Sequence, residues 1–139
     1  MPEKQPKESK SLYKDKFCKL IVLIFQLGTS QIRVRTYYFP TCQDKIISLD
    51  KIVKVYYKKQ NLKEDCCRVK QWGMSLTPVW WACDMARGVH RSSANVYNVV
   101  IDTGSMICKG FSVTNINTFL SHLEPLIPKD KFVPDQIPS

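Results

Sequence analysis

The chain has 139 residues, of which 44% are hydrophobic, and a formal net charge of +9. This length suits one domain, and so many hydrophobic residues exclude a disordered chain. The longest apolar run, LIVLIFQL, is far shorter than the roughly 20 residues that span a bilayer, and the first residues lack the apolar core of a secretory signal. We therefore expect a soluble cytoplasmic protein.

The positive charge is concentrated in the first half of the chain. Residues 1–70 contain sixteen Lys and Arg against seven Asp and Glu, whereas residues 71–139 contain five of each. Such asymmetry is typical of proteins that meet anionic lipid or nucleic acid, although it also serves solubility.

The cysteines do not form a recognisable framework. None of the six is spaced C-x-x-C, and neither His90 nor His122 has a partner at zinc-ligand spacing. A domain of this size folds without disulfides. We expect reduced thiols, no metal and no cofactor, with Cys18 and Cys108 acting as small hydrophobic residues.

The first half of the chain predicts strands. Residues 1–12 are rich in Lys, Glu, Pro and Ser and predict a flexible basic tail before a domain at 13–127. The aliphatic run 17–25 predicts a buried strand, although a short helix is an alternative. Residues 31–39 alternate, which predicts one face with Ile32, Val34, Thr36 and Tyr38 and another with Arg33, Arg35 and Tyr37.

The rest predicts further strands and one helix. Residues 45–59 predict two strands around a turn, and residues 66–72 predict another strand. Residues 96–101 and 106–113 predict a hairpin whose turn is Asp102-Thr103-Gly104-Ser105. Asn115 is expected to cap an amphipathic helix that ends near Glu124, before a proline-containing tail at 128–139. The fold class is therefore mainly β, with about seven strands, mostly antiparallel, closed by a C-terminal α-helix.

Three stretches resemble pleckstrin-homology-like (PH-like) domains, especially the compact bacterial type. They are SQIRVRTYYFPTCQDKIISLDKIVKVYY (30–57), QWGMSLTPVWW (71–81) and VVIDTGSMICKGFSVTNINTFLSHL (99–123). The resemblance covers about residues 16–127. It implies a curved antiparallel barrel or two orthogonal sheets, capped by the last helix. It also implies a non-enzymatic module that binds lipids, peptides or proteins.

Basic residues on the strands predict a surface for anionic phospholipid. The resemblance implies a basic residue near the end of the first strand and Arg-x-Arg on the second in phosphoinositide-binding members. Arg33 and Arg35 match the second part, whereas Lys19 lies at the start of its run. If Lys54 and Lys58 share their surface, the patch would hold Lys19, Arg33, Arg35, Lys54, Lys58 and Lys59, and would recruit the domain weakly to a membrane. The alternative is that these are ordinary solvent-facing positions.

All three tryptophans lie in residues 71–90. They are expected to be core anchors, but adjacent residues cannot both face inward on a strand, so Trp80 or Trp81 is expected to be exposed. Trp80, Trp81, Met85 and Arg87 are residue types that partner surfaces favour, which predicts a protein partner or a homo-oligomer as the alternative function.

Two other functions have weaker support. Tyrosines 37, 38, 56 and 57 beside the arginines would suit stacking on single-stranded nucleic acid, but no RNP-type signature is present. A nucleophilic Cys83 with His90 would need an orienting group and an oxyanion site that the sequence does not supply. We expect a protein that is not an enzyme.

Overall fold

In the computed structural model the described residues are 9–23, 30–38, 41–60, 69–85, 87 and 96–138. They form a mainly β fold of two sheets with one short C-terminal α-helix. His90 and residues 66–68 of an expected strand lie outside these residues.

Sheet A is a four-stranded antiparallel meander. It consists of β1 (Ser9–Lys14), β2 (Cys18–Leu23), β3 (Gln31–Tyr38) and β4 (Gln43–Ser48), each paired with the next. Strands are thus present within the described parts of the expected ranges 17–25 and 31–39 and near residue 45, because short runs of branched and alternating residues suit a half-buried pleated surface.

Sheet B has six strands. These are β5 (Lys54–Lys59), β6 (Gly73–Met74), β7 (Val79–Trp81), β8 (Tyr97–Asp102), β9 (Cys108–Val113) and β10 (Phe132–Pro134). Their order across the sheet is β10-β5-β8-β9-β7-β6, and the pairs β10–β5 and β7–β9 are parallel. The expected fold was either a curved barrel or two sheets. Within the described residues neither sheet closes into a barrel, and the structure has two separate sheets.

The main core lies between the two sheets. Leu20, Ile32 and Val34 of sheet A face Val99 and Phe111 of sheet B in one buried cluster. A second cluster covers the other face of sheet B, where Trp81 and Val100 pack with Ile137 near the C-terminus. Sheet B is therefore covered on both faces, whereas sheet A has one face toward solvent.

The helix α1 (Ile116–Leu123) joins both sheets. The Asn115 side chain accepts a hydrogen bond from the backbone N–H of Thr118, which is the expected cap. The Phe119 ring lies 5.3 Å from that of Tyr13 on β1 and 6.3 Å from that of Phe111 on β9. The expected helix and the β8–β9 hairpin are thus confirmed.

Several expected boundaries differ from the structure. Strand β1 begins at Ser9, inside the expected tail at 1–12. The expected tail at 128–139 contains β10, which pairs with β5. Residues 69–72 are not a strand, although one was expected at 66–72. Strand β9 starts at Cys108 rather than residue 106, which leaves a longer connection after β8.

The inward and outward faces of β3 exchange at Thr36. This residue has a φ of 51°, and the pairing of β3 with β4 shifts register between Val34 and Tyr38. Tyr37 is consequently buried and Tyr38 exposed, the reverse of the simple alternation. No described helix has the length and hydropathy needed to cross a membrane.

Candidate anion-binding face

Three cations lie side by side on the surface of sheet A. Lys14 on β1 lies directly opposite Lys19 on β2, which in turn lies directly opposite Arg33 on β3. Neighbouring strands are about 4.8 Å apart, so these positions span about 10 Å. Directly opposed residues share a face of the sheet, so all three side chains project to the same side.

This face points away from the core. Leu20 and Ile32, which alternate with Lys19 and Arg33, are fully buried against sheet B. Arg33 and Arg35 are both exposed, and Lys19 is half-buried. The predicted alternation of the two arginines with buried residues is therefore confirmed.

Two more cations extend the row. Arg35 lies two residues beyond Arg33, and its backbone N–H donates a hydrogen bond to the carbonyl of Phe17 (2.8 Å). The ammonium of the exposed Lys16 lies 5.2 Å from the centre of the Phe17 ring, within cation–π range. We call the following set the outer cationic face: Lys14, Lys16, Lys19, Arg33 and Arg35.

Among the described residues, Asp44 forms an ion pair with Arg33 of this row. Its Oδ2 lies 3.8 Å from Arg33 Nη1, and its Oδ1 accepts a hydrogen bond from the backbone N–H of Thr36. An exposed pair of this kind contributes little to stability. Like charges directly opposite on neighbouring strands repel each other, and the pair with Asp44 offsets part of this repulsion at Arg33.

The six basic residues of the predicted patch do not share one surface. Lys54 and Lys58 alternate with Val55, which is buried between the sheets. Both lysines therefore project from the face of sheet B that points away from sheet A. Lys59 is exposed at the end of β5. The prediction of a single patch was wrong. Alternation shows which side chains share a face of one strand, but it does not show how the faces of two sheets are arranged in space.

Two residues of the predicted partner surface are buried instead. Trp81 is fully buried, and Arg87 is 1% exposed with its guanidinium carbon 4.9 Å from the Trp81 ring centre. Arg87 Nη1 donates to the carbonyls of Lys70 and Ala82, at 2.8 Å each. Arg87 therefore fastens the loops on either side of β6 and β7, and is not available to a partner.

A buried polar network continues from Arg87. Its Nη2 donates to the Ser112 hydroxyl (2.9 Å), which donates to Asp84 Oδ2 (2.5 Å). Gln60 Nε2 also donates to Ser112 Oγ, at 3.1 Å. Buried polar groups need such partners, so this network has a structural role on the outer side of sheet B.

The remaining residues of the Trp-rich segment reach the surface. Trp80 is half-buried, and its Nε1 donates to the Tyr37 carbonyl (2.8 Å). Met85 is 56% exposed. Trp72 is 38% exposed, so its expected role as a core anchor is wrong. The expectation that Trp80 or Trp81 would be exposed is wrong: Trp80 packs against the core between the sheets and Trp81 lies in the second cluster, because sheet B is covered on both faces.

The tyrosines do not form a stacking surface beside the arginines. Tyr37 is buried on the core side of sheet A, and the Tyr38 ring lies 4.9 Å from the Tyr37 ring. Tyr57 packs against the core between the sheets, and Tyr56 packs on the opposite face of sheet B. The arrangement proposed for single-stranded nucleic acid is therefore absent at these four residues.

Three of the four described cysteines are at least partly buried, and Cys42 is exposed. Cys18, Cys42, Cys83 and Cys108 are all reduced, and burial raises the pKa of the Cys83 thiol. A nucleophilic thiol needs the opposite shift. Within the described part of the chain, no three His, Cys, Asp or Glu side chains are close enough to hold a metal ion.

Sequence reasoning missed Lys14 and Lys16. Assigning residues 1–12 to a tail hid the strand that carries Lys14. The alternation of exposed Lys14 with buried Tyr13 was the available signal.

No family model, curated protein or solved structure matches the chain.

Proposed function

We propose that the chain is a non-enzymatic module of PH-like architecture that binds anionic phospholipid surfaces weakly through the outer cationic face. The observation that carries this proposal is the in-register row of Lys14, Lys19 and Arg33 across three neighbouring strands. Such a row is unfavourable by itself and favourable against an anionic surface.

The order of the strands supports the PH-like architecture. Sheet A is a four-stranded meander, and β5, β8 and β9 are neighbouring antiparallel strands, the last of which is followed directly by α1. Two sheets followed by one C-terminal helix support the architecture that the resemblance implies. Strands β6, β7 and β10 are then additions at the two edges of sheet B.

The magnitude of the attraction suits reversible binding. Each Lys or Arg near an anionic membrane contributes about 1 kcal/mol, so five cations contribute about 5 kcal/mol. Because these side chains stand on one sheet face, they would meet many head groups at once rather than select one. The proposal therefore implies a cytoplasmic protein that associates peripherally with a membrane and dissociates when salt screens the charges.

Vesicle co-sedimentation tests the proposal. Vesicles of phosphatidylcholine alone and vesicles with added phosphatidylserine are compared at low and at high ionic strength. We expect binding to the anionic vesicles only, with loss of binding at high salt. Equal binding to both kinds of vesicle at low salt, or binding to the anionic vesicles that salt does not weaken, would contradict it.

A second candidate function is protein binding at the β6 edge of sheet B. Strand β6 has only two residues, and exposed apolar side chains lie around it: Trp72, Met74, Leu76 and Met85. An extended peptide can add to such an edge through backbone hydrogen bonds. Leu76→Asp should abolish a protein interaction of this kind and leave vesicle binding unchanged. Loss of vesicle binding in this variant would count against the separation of the two surfaces.

A further inference from the structure

A pocket opens between the two sheets at the end where β3 meets β4. It has a volume of about 430 Å³, in the usual range for small-molecule sites. Its walls come from sheet A, sheet B and the β8–β9 connection: Tyr37, Tyr38, Lys45, Trp80, Ser105, Met106, Ile107 and Lys109. We call it the mouth pocket. None of its residues belongs to the outer cationic face.

The apolar part of the pocket is held in place by the protein. The register shift at Thr36 turns Tyr37 inward, and Trp80 Nε1 donates to the Tyr37 carbonyl. The Trp80 ring centre lies 6.3 Å from that of Tyr37 and 6.4 Å from that of Tyr38. These rings present a preformed aromatic surface, which suits the apolar body of a ligand.

Two lysines occupy positions that face the core side of their strands. Lys45 lies opposite Val34 on β3, and Lys109 lies opposite Ile101 on β8, and both partners are fully buried. Lysine is rarely placed on an inward face without a partner. Two cations on facing sheets at one opening are therefore a specific feature of this fold.

The two lysines differ in their hydrogen bonds. Lys109 Nζ donates to Thr103 Oγ1 (2.9 Å), Ser105 Oγ (2.7 Å) and the Ile107 carbonyl (2.9 Å), which uses all three donors. Within the described residues Lys45 Nζ has no hydrogen bond or ion pair. Lys109 thus holds the connection that forms one wall, whereas Lys45 offers a cation to a ligand.

The charges in the pocket favour an anion. Burial lowers the pKa of Lys109, and the nearby positive charge of Lys45 lowers it further. An anionic group beside Lys45 would offset both effects, because an opposite charge stabilises the protonated form of a lysine. The same anion would be poorly screened by water next to the aromatic rings.

We propose that the mouth pocket binds a small amphipathic carboxylate, with its apolar body against Tyr37 and Trp80 and its carboxylate beside Lys45. The body would be an alkyl chain or an aromatic ring system, since both match the lining. The proposal does not depend on membrane binding by the outer cationic face.

Titration of the full chain with three probes tests the proposal, with two-dimensional NMR as the readout. Octanoate and 2-naphthoate represent the alkyl and aromatic carboxylates, and 1-octanol is the uncharged match. We expect octanoate or 2-naphthoate to bind at least about tenfold more tightly than 1-octanol, because a charge-assisted hydrogen bond is roughly twice as strong as a neutral one. The carboxylate that binds more tightly shows whether the apolar body of the ligand is an alkyl chain or an aromatic ring system. The resonances that shift on binding should include those of Tyr37, Trp80 and Ile107.

Variants distinguish a pocket site from general charge attraction. Lys45→Gln should remove the preference for carboxylate, Lys45→Arg should keep it, and Lys54→Gln on the far face of sheet B should leave it unchanged. Arg33→Glu should weaken vesicle binding but not octanoate binding. Equal affinity for octanoate and 1-octanol, no saturable binding of either carboxylate, or a preference that survives Lys45→Gln would overturn the proposal.

Discussion

The Trp81 ring on β7 lies against the bare backbone of Gly110 on β9. A Cβ atom at residue 110 would lie 2.5 Å from Trp81 Cε3, closer than real side chains approach. The two residues are direct partners in the parallel β7–β9 pair, so neither can move without opening this edge of sheet B. Glycine is therefore required at 110 for close approach of an indole.

Gly110→Ala should lower the free energy of unfolding by about 1–3 kcal/mol, the usual cost of overpacking a core. The measurement is urea denaturation of the variant, of Trp81→Leu and of the double variant. Because the leucine removes the ring that clashes with alanine, the double variant should lose less stability than the two single losses together. Strictly additive losses would show that the two residues do not constrain each other.

Asp15 should be a stability-determining residue, although it is in a turn. Its Oδ1 accepts the backbone N–H groups of Phe17 (2.7 Å) and Cys18 (2.9 Å), and its Oδ2 accepts from the Tyr13 hydroxyl and from the Thr114 backbone N–H (3.0 Å). One carboxylate thus ties the β1–β2 turn to the start of the closing helix.

Asp15→Ala should lower the free energy of unfolding by roughly 3 kcal/mol, since several hydrogen bonds to one charged group are lost together. Asp50→Ala is a matched control, because the exposed Asp50 accepts one described side-chain hydrogen bond, from Ser48. Its loss should stay below about 1 kcal/mol. Chemical denaturation compares the two, and equal losses would contradict the role given to Asp15.

Arg87 should behave as a structural residue. Arg87→Leu leaves the carbonyls of Lys70 and Ala82 without their donor in a buried loop, so we expect a loss of roughly 3 kcal/mol or more. Met85→Ala, two residues away and exposed, should change stability by less than about 0.5 kcal/mol. Thermal unfolding of both variants gives the comparison, and an Arg87→Leu protein as stable as the parent would exclude this role.

Alkaline pH should destabilise the fold partly through Tyr37. Burial raises the pKa of the Tyr37 phenol, and the neighbouring Tyr38 raises it further. The unfolded chain loses this proton above about pH 10 while the folded chain retains it, so stability falls as pH rises past that value. Tyr37→Phe should make the fall between about pH 9 and pH 11 less steep in denaturant titrations. Identical slopes would contradict the buried position of the phenol.

The sequence predicts well those elements whose signal is local. Alternation places Arg33 and Arg35 outward, and turn residues predict the β8–β9 hairpin. Asn115 predicts the start of the helix. In each case neighbouring residues alone determine the geometry, through strand periodicity, turn chemistry or a cap.

Features that depend on distant parts of the chain could not be predicted in this way. The positive φ of Thr36 reverses the faces of Tyr37 and Tyr38, yet nothing in the residue type announces it. Arg87 is buried because carbonyls at residues 70 and 82 converge on it. The arginines of β3 and the lysines of β5 lie on different surfaces because these strands belong to different sheets. No local sequence pattern indicates how two sheets are arranged.

We propose that the outer cationic face binds anionic membranes. The most direct test of this claim is the partition coefficient of two charge-reversed proteins on vesicles that contain phosphatidylserine. One carries Lys19→Glu with Arg33→Glu on the outer cationic face, and the other carries Lys54→Glu with Lys59→Glu on sheet B, so both change the net charge equally. We predict a loss of at least about tenfold for the first protein and about threefold or less for the second. Equal losses would show that net charge alone governs binding, and would contradict the claim.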